Sequence, residues 1–157
     1  MKLTSRQDIE APAAFVFDAL TDFQAWERAA LRRGAEVART DKLTAKGPGL
    51  SWMIKFAYRG KDRRVALRLM ELETPSMLGF SGIGATIEAQ AGIDLMALAA
   101  RRTRLSVTVD LQPRTIGARL ILQSMRLAKA RFNRRFAERV AQFCTEIETR
   151  YRKSLGI

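Results

Sequence analysis

The sequence predicts an α+β domain in which an antiparallel sheet packs against a long C-terminal helix. Apolar and polar residues alternate through the middle of the chain, which is the period of half-buried strands. The last stretch, about forty residues, carries apolar side chains three or four positions apart, as an amphipathic helix does. Short connections force neighbouring strands into antiparallel pairs. The C-terminal helix is the only predicted element large enough to cover the apolar face of the resulting sheet. The 157 residues fit one core, so we expect a single domain over residues 1–157.

The composition excludes several kinds of chemistry. The chain has no histidine, so it cannot form a Ser-His-Asp triad or a histidine-containing zinc site. Its one cysteine, Cys144, rules out an intrachain disulfide and a thiolate cluster, and its place among apolar helix positions predicts a buried structural thiol. We therefore expect no metal and no cofactor. No segment has the pattern of a signal peptide or a membrane span, so we expect a cytoplasmic protein.

The first third of the chain predicts one strand and two short helices. Residues 3–10 alternate loosely and form the first strand. Pro12 suits the first turn of a helix, where its missing N–H is not needed. Asp22 has the position of an N-cap for a second helix, which Gly34 would end.

The central residues predict a meander of strands. In residues 50–58 the even positions carry large apolar side chains, which places them on one face of a strand. Residues 60–62 predict a hairpin turn. Further strands are predicted over residues 63–73, 77–83, 85–97 and 105–111. Gly92 predicts a bulge or bend within one of them.

The C-terminal residues predict one amphipathic helix with an interruption. Its apolar stripe consists of Ile121, Met125, Ala128, Phe132, Phe136, Val140, Phe143, Ile147 and Tyr151. An unbroken helix of this length would extend about 60 Å, which is too long for a small domain to cover. We therefore expect a break between Ala118 and Ser124, or a frayed end.

The order of elements and two segments resemble the START-like or Bet v 1-like superfamily (SRPBCC), which includes polyketide cyclases/dehydrases and lipid-transport proteins. The segments read IEAPAAFVFDALTDFQAWERA near the start and RRTRLSVTVDLQP in the last strand. The resemblance implies a helix-grip fold, with a curved antiparallel sheet of about six or seven strands wrapped around the C-terminal helix. It also implies a cavity between sheet and helix that takes hydrophobic ligands such as lipids, polyketides or quinones.

Large or adaptable side chains offer wall material for such a cavity. We expect the ligand to contact Trp52, Phe56, Tyr58, Phe80, Met96, Phe132 and Phe136. The alternative is that these residues fill a solid core, because pattern alone does not distinguish a filled interior from a hollow one. The favoured function is binding or transport of a small hydrophobic or amphipathic molecule without consuming it.

An enzyme of the cyclase or dehydratase kind is the first alternative. Asp94 and Glu88 share a strand parity, and a carboxylate buried there could act as a general base, with Tyr58 as a further acid–base candidate. Against this, Asp94 alternates with apolar neighbours as an outward-facing residue does.

The net charge of +12 points to a second alternative. Residues 113–157 hold 11 basic and 3 acidic side chains, so two thirds of the excess belongs to the C-terminal helix. Arg131, Arg134 and Arg135 could dock on nucleic acid or an anionic membrane. The sequence has no recognisable nucleic-acid motif, which favours the alternative that they form an ordinary solvated helix face. The sequence leaves the ligand's identity and the oligomeric state open.

Overall fold

The computed structural model describes residues 1–157, which form one seven-stranded antiparallel sheet and four helices. In chain order the elements are β1 (Lys2–Ile9), α1 (Ala13–Leu20), α2 (Phe23–Arg32), β2 (Glu36–Arg39), β3 (Ser51–Tyr58), β4 (Lys61–Glu73), β5 (Met77–Gly84), β6 (Ile87–Ala99), β7 (Arg102–Pro113), α3 (Ile116–Arg126) and α4 (Lys129–Ser154). The strands lie in the order β1-β7-β6-β5-β4-β3-β2. The predicted fold class and strand number are confirmed.

The sheet has an inner face, which packs against α1, α2 and α4, and an outer face. Pairing fixes which side chains share the inner face, since partners across a ladder point the same way. Trp52 lies opposite Leu67, for example, and Leu69 lies opposite Phe80. The inner face is apolar over most of its area, and its centre is fully buried at Leu69 and Leu78.

The β3–β4 hairpin turns one residue earlier than its sequence predicts. Arg59 and Gly60 both have positive φ, at 51° and 74°, as a two-residue turn of the hairpin type requires, and β4 begins at Lys61. Of the bulge or bend predicted at Gly92, the structure excludes the bulge, because Gly92 pairs regularly with Gly79 and Thr108. A glycine permits a bulge without enforcing one.

The two short helices begin within one residue of where the sequence predicts, and the second ends at the predicted glycine. Pro12 is the N-cap of α1, and Oδ1 of Asp22 accepts a hydrogen bond of 3.2 Å from the amide of Ala25 at the start of α2. Gly34 follows α2 with φ of +88°, a conformation that residues with a Cβ rarely adopt.

The C-terminal helix is broken, but later than predicted. α3 ends at Arg126 and α4 begins at Lys129, because Ala118 and Leu122 of α3 are buried and hold the whole helix on β7. Ile121, predicted at the start of the buried stripe, is exposed as a result. No helix of the structure combines the length and the apolar character needed to cross a membrane.

α4 lies along β1 at the edge of the sheet. Its Asn133 and Glu148 side chains accept hydrogen bonds from the β1-side amides of Thr4 (3.2 Å) and Glu10 (3.0 Å). The first bond occupies an amide of the edge strand that would otherwise be free to pair with another chain, and the second lies just beyond the end of that strand. From its middle onward, α4 enters the core through Val140, Cys144 and Ile147.

Candidate functional site

A pocket of about 320 Å³ lies between α2 and the inner face of the sheet. Eleven of its 12 lining residues are hydrophobic. They come from α1, α2 and strands β2 to β6 and comprise Leu20, Phe23, Trp26, Ala30, Val37, Trp52, Ile54, Leu67, Phe80, Ala91 and Ile93. Because Trp26 keeps part of its surface exposed, the pocket reaches solvent on the α2 side.

Both tryptophans of the chain line this pocket. The Trp26 ring packs against Phe143 of α4, with ring centres 5.1 Å apart, and its Nε1 donates to the carbonyl of Leu20 at 3.0 Å. The Trp52 ring packs against Phe23, with ring centres 5.3 Å apart. These contacts hold α2 at a fixed distance from the sheet and so keep the pocket open.

Glu27 is the single polar residue in the lining. Its Oε1 accepts a hydrogen bond of 2.8 Å from Nε1 of Trp52, which leaves the second carboxylate oxygen without a protein donor. Sequence reasoning missed this residue. Its spacing was the available signal, since Glu27 follows the buried Phe23 by one helical turn and shares its face.

A cation lies at the rim of the pocket. The Arg39 guanidinium is 5.6 Å from the centre of the Trp52 ring, within the range of a cation–π contact. Asp41 positions it by accepting hydrogen bonds from Nε and Nη2 of Arg39 at 2.7 and 2.6 Å. The Arg39 guanidinium, together with the backbone amide of Ser51, holds the pKa of the Asp41 carboxyl far below its usual range.

The inner face continues from the pocket into an open depression at the β3–β4 hairpin end of the sheet. Phe56, Val65, Gly82 and Ala89 line this depression, and each is the next inner-face residue after a pocket residue on its own strand. The depression has a volume of about 1130 Å³, to which both faces of the hairpin contribute. The pocket and the depression together form one trough, which reaches solvent beside Trp26 and, at its wider open end, along the hairpin.

The open end of the trough is basic. Lys61, Arg63 and Arg114 contribute to its lining. The guanidiniums of Arg59 and Arg63 lie 5.4 and 5.5 Å from the centre of the Tyr58 ring. An apolar channel that ends in cations has the polarity to hold a molecule with a hydrophobic body and an anionic end.

The structure brings together four of the seven predicted wall residues. Trp52 and Phe80 line the pocket, and Phe56 and Tyr58 line the depression, where Tyr58 is 53% exposed. The other three lie elsewhere: Phe132 and Phe136 are half-buried on α4 outside both cavities, and Met96 is on the outer face.

Met96, Asp94 and Glu88 all belong to the outer face of β6. Their neighbour Leu95 points inward, so strand parity directs these three outward, and Met96 is 61% exposed. They therefore line neither the pocket nor the depression. The large side chain of Met96 suggested a wall residue, but the alternation of side chains along a strand decides which face of the sheet each residue occupies.

Cys144 is buried within the core, as its position on the helix predicts. Burial, together with the nearby Glu148 carboxylate, raises the pKa of its thiol to about 11. A thiol of this kind stays protonated at neutral pH and is a poor nucleophile. No group of three or more His, Cys, Asp or Glu side chains in the structure is arranged to hold a metal ion.

No family model and no curated protein matches the sequence, but the structure matches many solved structures. The Zhui aromatase/cyclase of Streptomyces sp. R1128 aligns over 96% of this chain and 94% of its own, with a TM-score of 0.71 and 15% identity. A START superfamily protein from Mycobacterium smegmatis aligns over 90% and 98%, with a TM-score of 0.58 and 14% identity. The chain has the START-like, Bet v 1-like helix-grip fold.

Another structure of this START-like fold, from Thermus thermophilus, aligns over 98% of this chain and 99% of its own, with a TM-score of 0.66 and 14% identity. Sequence identities this low show a shared fold and nothing about the site. The function of the site therefore depends on the residues of this chain. In this helix-grip protein those residues form the apolar pocket, the Glu27 carboxylate beside it and the basic open end of the trough.

Proposed function

We propose that this protein binds a small hydrophobic or amphipathic molecule in the trough between α2 and the inner face of the sheet. The observation that carries the proposal is the 320 Å³ pocket with 11 hydrophobic residues among its 12 lining residues. Apolar surface left uncovered inside a fold is costly, and ligand pockets of about 300 to 1,000 Å³ are lined in this way. The aromatase/cyclase with a similar fold supports the same general class of ligand.

The charge at the open end supports an acidic amphiphile as the ligand. Its apolar part would occupy the pocket and contact Trp52 and Phe80, while its anionic end would meet Arg63 and Arg114 in the depression. A long-chain carboxylate has this chemistry. Binding would be driven by burial of apolar surface, at about 25 cal/mol per Å², with the cations fixing the orientation.

Native mass spectrometry of the purified protein, followed by solvent extraction, tests the binding function. A defined hydrophobic adduct that is released by solvent is expected. If the protein carries no adduct and also takes up none from a mixture of lipids and aromatic hydrophobes, the proposed function is wrong.

The ligand's acidic end is tested by changing one arginine inside the trough. Arg63→Ser should weaken binding of dodecanoic acid about tenfold, since a charge-assisted hydrogen bond contributes about 1.5 kcal/mol, and should leave binding of 1-dodecanol unchanged. The matched control is Arg68→Ser, because Arg68 is exposed on the opposite face of the same strand and lines neither cavity. Isothermal titration calorimetry measures both. Equal losses for the acid and the alcohol would contradict an acidic end at Arg63.

One observation favours an enzymatic alternative of the cyclase type. Glu27 places a carboxylate against the pocket, where it can accept a proton from a bound molecule, whereas Asp94 and Glu88 lie on the outer face. The test is incubation with a linear poly-β-ketone and detection of a cyclised product. Glu27→Gln should then retain binding and lose the product, and the absence of product with the unchanged protein would contradict catalysis.

The basic face of α4 supports a second role, docking on an anionic surface. Arg131, Arg134 and Arg135 are exposed, and none of them takes part in the ion pairs of the structure. Retention on heparin and on anionic vesicles should fall when all three are changed to serine, and unchanged retention would remove this role. Residence in the cytoplasm, where such surfaces are accessible, remains part of the proposal.

A further inference from the structure

α3 presents large aliphatic side chains to solvent. Ile116 is 80% exposed, Leu120 is 60% exposed, and Leu127, just after the helix, is 93% exposed. They follow one another at helical spacing and lie opposite Ala118 and Leu122, which hold α3 on β7. The helix is therefore apolar on both sides, and the fold covers only one of them.

The same part of the chain carries cations without counter-charges. We call residues 116–139 the basic elbow. This segment comprises α3, the break between α3 and α4, and the first turns of α4. Its exposed basic residues are Arg119, Arg126, Lys129, Arg131, Arg134, Arg135 and Arg139. No acidic residue occurs between Asp110 and Glu138, and no elbow arginine or lysine forms an ion pair.

The combination of exposed aliphatic and unpaired basic side chains selects one kind of partner. A second copy of this chain would bring like charges together, which is unfavourable. Nucleic acid would neutralise the cations but would leave Ile116, Leu120 and Leu127 in water, because it recognises its partners through phosphate contacts and base stacking. An anionic bilayer accepts both: its headgroups pair with the arginines and its acyl boundary takes the aliphatic side chains.

We propose that the basic elbow docks on an anionic phospholipid bilayer, with Ile116, Leu120 and Leu127 entering the acyl boundary. This inference builds on the second role proposed above and names its partner. It does not depend on ligand binding in the pocket.

The elbow begins at the open end of the trough. The backbone amide of Arg114 donates to the carbonyl of Thr86 at 2.7 Å, and its side chain donates to the carbonyl of Gly84, so this arginine joins β7 to the β5–β6 turn. α3 starts just after it at Ile116. Docking through the elbow therefore brings the open end of the trough close to the bilayer, where an amphiphile could enter.

Sedimentation with large unilamellar vesicles tests the inference. The vesicles contain phosphatidylcholine alone, or phosphatidylcholine and phosphatidylserine at about 70:30. The unchanged protein should bind the anionic vesicles and not the neutral ones. Changing Ile116, Leu120 and Leu127 together to serine should weaken binding to anionic vesicles at least about tenfold, given the apolar area each side chain buries. Its thermal unfolding should be unchanged, because the three side chains contact solvent.

The matched control changes three exposed aliphatic residues outside the elbow, Leu31, Leu98 and Ile157, to serine. This variant should bind anionic vesicles like the unchanged protein. Equal binding by the elbow variant and the control would overturn the inference, even if the Arg131, Arg134 and Arg135 triple variant loses binding, because the surface would then be purely electrostatic. A dimer in sedimentation equilibrium that dissociates when Ile116, Leu120 and Leu127 are changed would also overturn it. If the unchanged protein binds neither heparin nor anionic vesicles, the docking role as a whole is wrong.

Discussion

Asp41 connects the loop after β2 to the rim of the pocket. Its carboxylate accepts two hydrogen bonds from Arg39 and one each from the amides of Leu43 and Ser51. The pKa of this carboxyl is lower in the folded protein than in the unfolded chain, so its ionised form stabilises the fold above about pH 4, and this contribution is lost as the pH falls further.

Asp41→Asn should accordingly lower the melting temperature at pH 7, and the difference from the unchanged protein should shrink as the pH falls from about 4 to about 2. Thermal unfolding monitored by circular dichroism across this range measures it. Asp62→Asn is the control, since Asp62 is exposed and forms no hydrogen bond or ion pair through its side chain. A difference that stays constant with pH would contradict a role for the ionised carboxylate.

The face that a site residue occupies could be predicted where the alternation of side chains along a strand alone decides it. The alternation of β3 puts Trp52 and Phe56 on one face, which is the inner face of the sheet. Phe80 and Met96 were predicted from their size, and only Phe80 lies on the inner face. Glu27 escaped notice for a different reason. Its spacing from Phe23 places it on the inner side of α2, but only the tertiary fold brings Trp52 within hydrogen-bonding distance of its carboxylate.

At the scale of elements, α2 forms one wall of the pocket. It contributes Phe23, Trp26, Glu27 and Ala30 to the lining, and Asp22 caps its first turn. Local signals sufficed to predict this helix, because caps and glycine ends act through neighbours in sequence. The α3–α4 break was placed too early, since it depends on how Ala118 and Leu122 seat on β7, which is a tertiary contact.

Asp22→Ala should destabilise the protein by about 1 kcal/mol, the usual cost of losing an N-cap side chain, and should weaken ligand binding because α2 frays at the wall of the pocket. Urea unfolding followed by tryptophan fluorescence measures the first effect. Asp18→Ala, an exposed position on α1 that caps nothing, should change neither. Unaltered stability in the Asp22 variant would show that the cap bond is not formed.

At the scale of the whole molecule, the helices leave part of the inner face uncovered. α4 lies along β1 and α3 on β7, so only α2 spans the strands at the far side of the sheet. The fold class follows from hydrophobic periods and element order, which the sequence displays. The sequence does not display whether the interior is filled or hollow. The same apolar side chains can line a pocket or close it, depending on the distance between α2 and the sheet.

Ligand binding inside the pocket is the central claim, and filling the pocket tests it most directly. Ala91 lines the pocket, while the adjacent Gln90 is exposed on the outer face of β6. The probe is cis-parinaric acid, whose fluorescence is excited by energy transfer from Trp26 and Trp52 when it is bound beside them. The unchanged protein and Gln90→Phe should bind the probe equally, and Ala91→Phe should bind it at least about tenfold more weakly, with its far-ultraviolet circular dichroism unchanged. Equal binding by all three proteins would contradict a ligand site between α2 and the sheet.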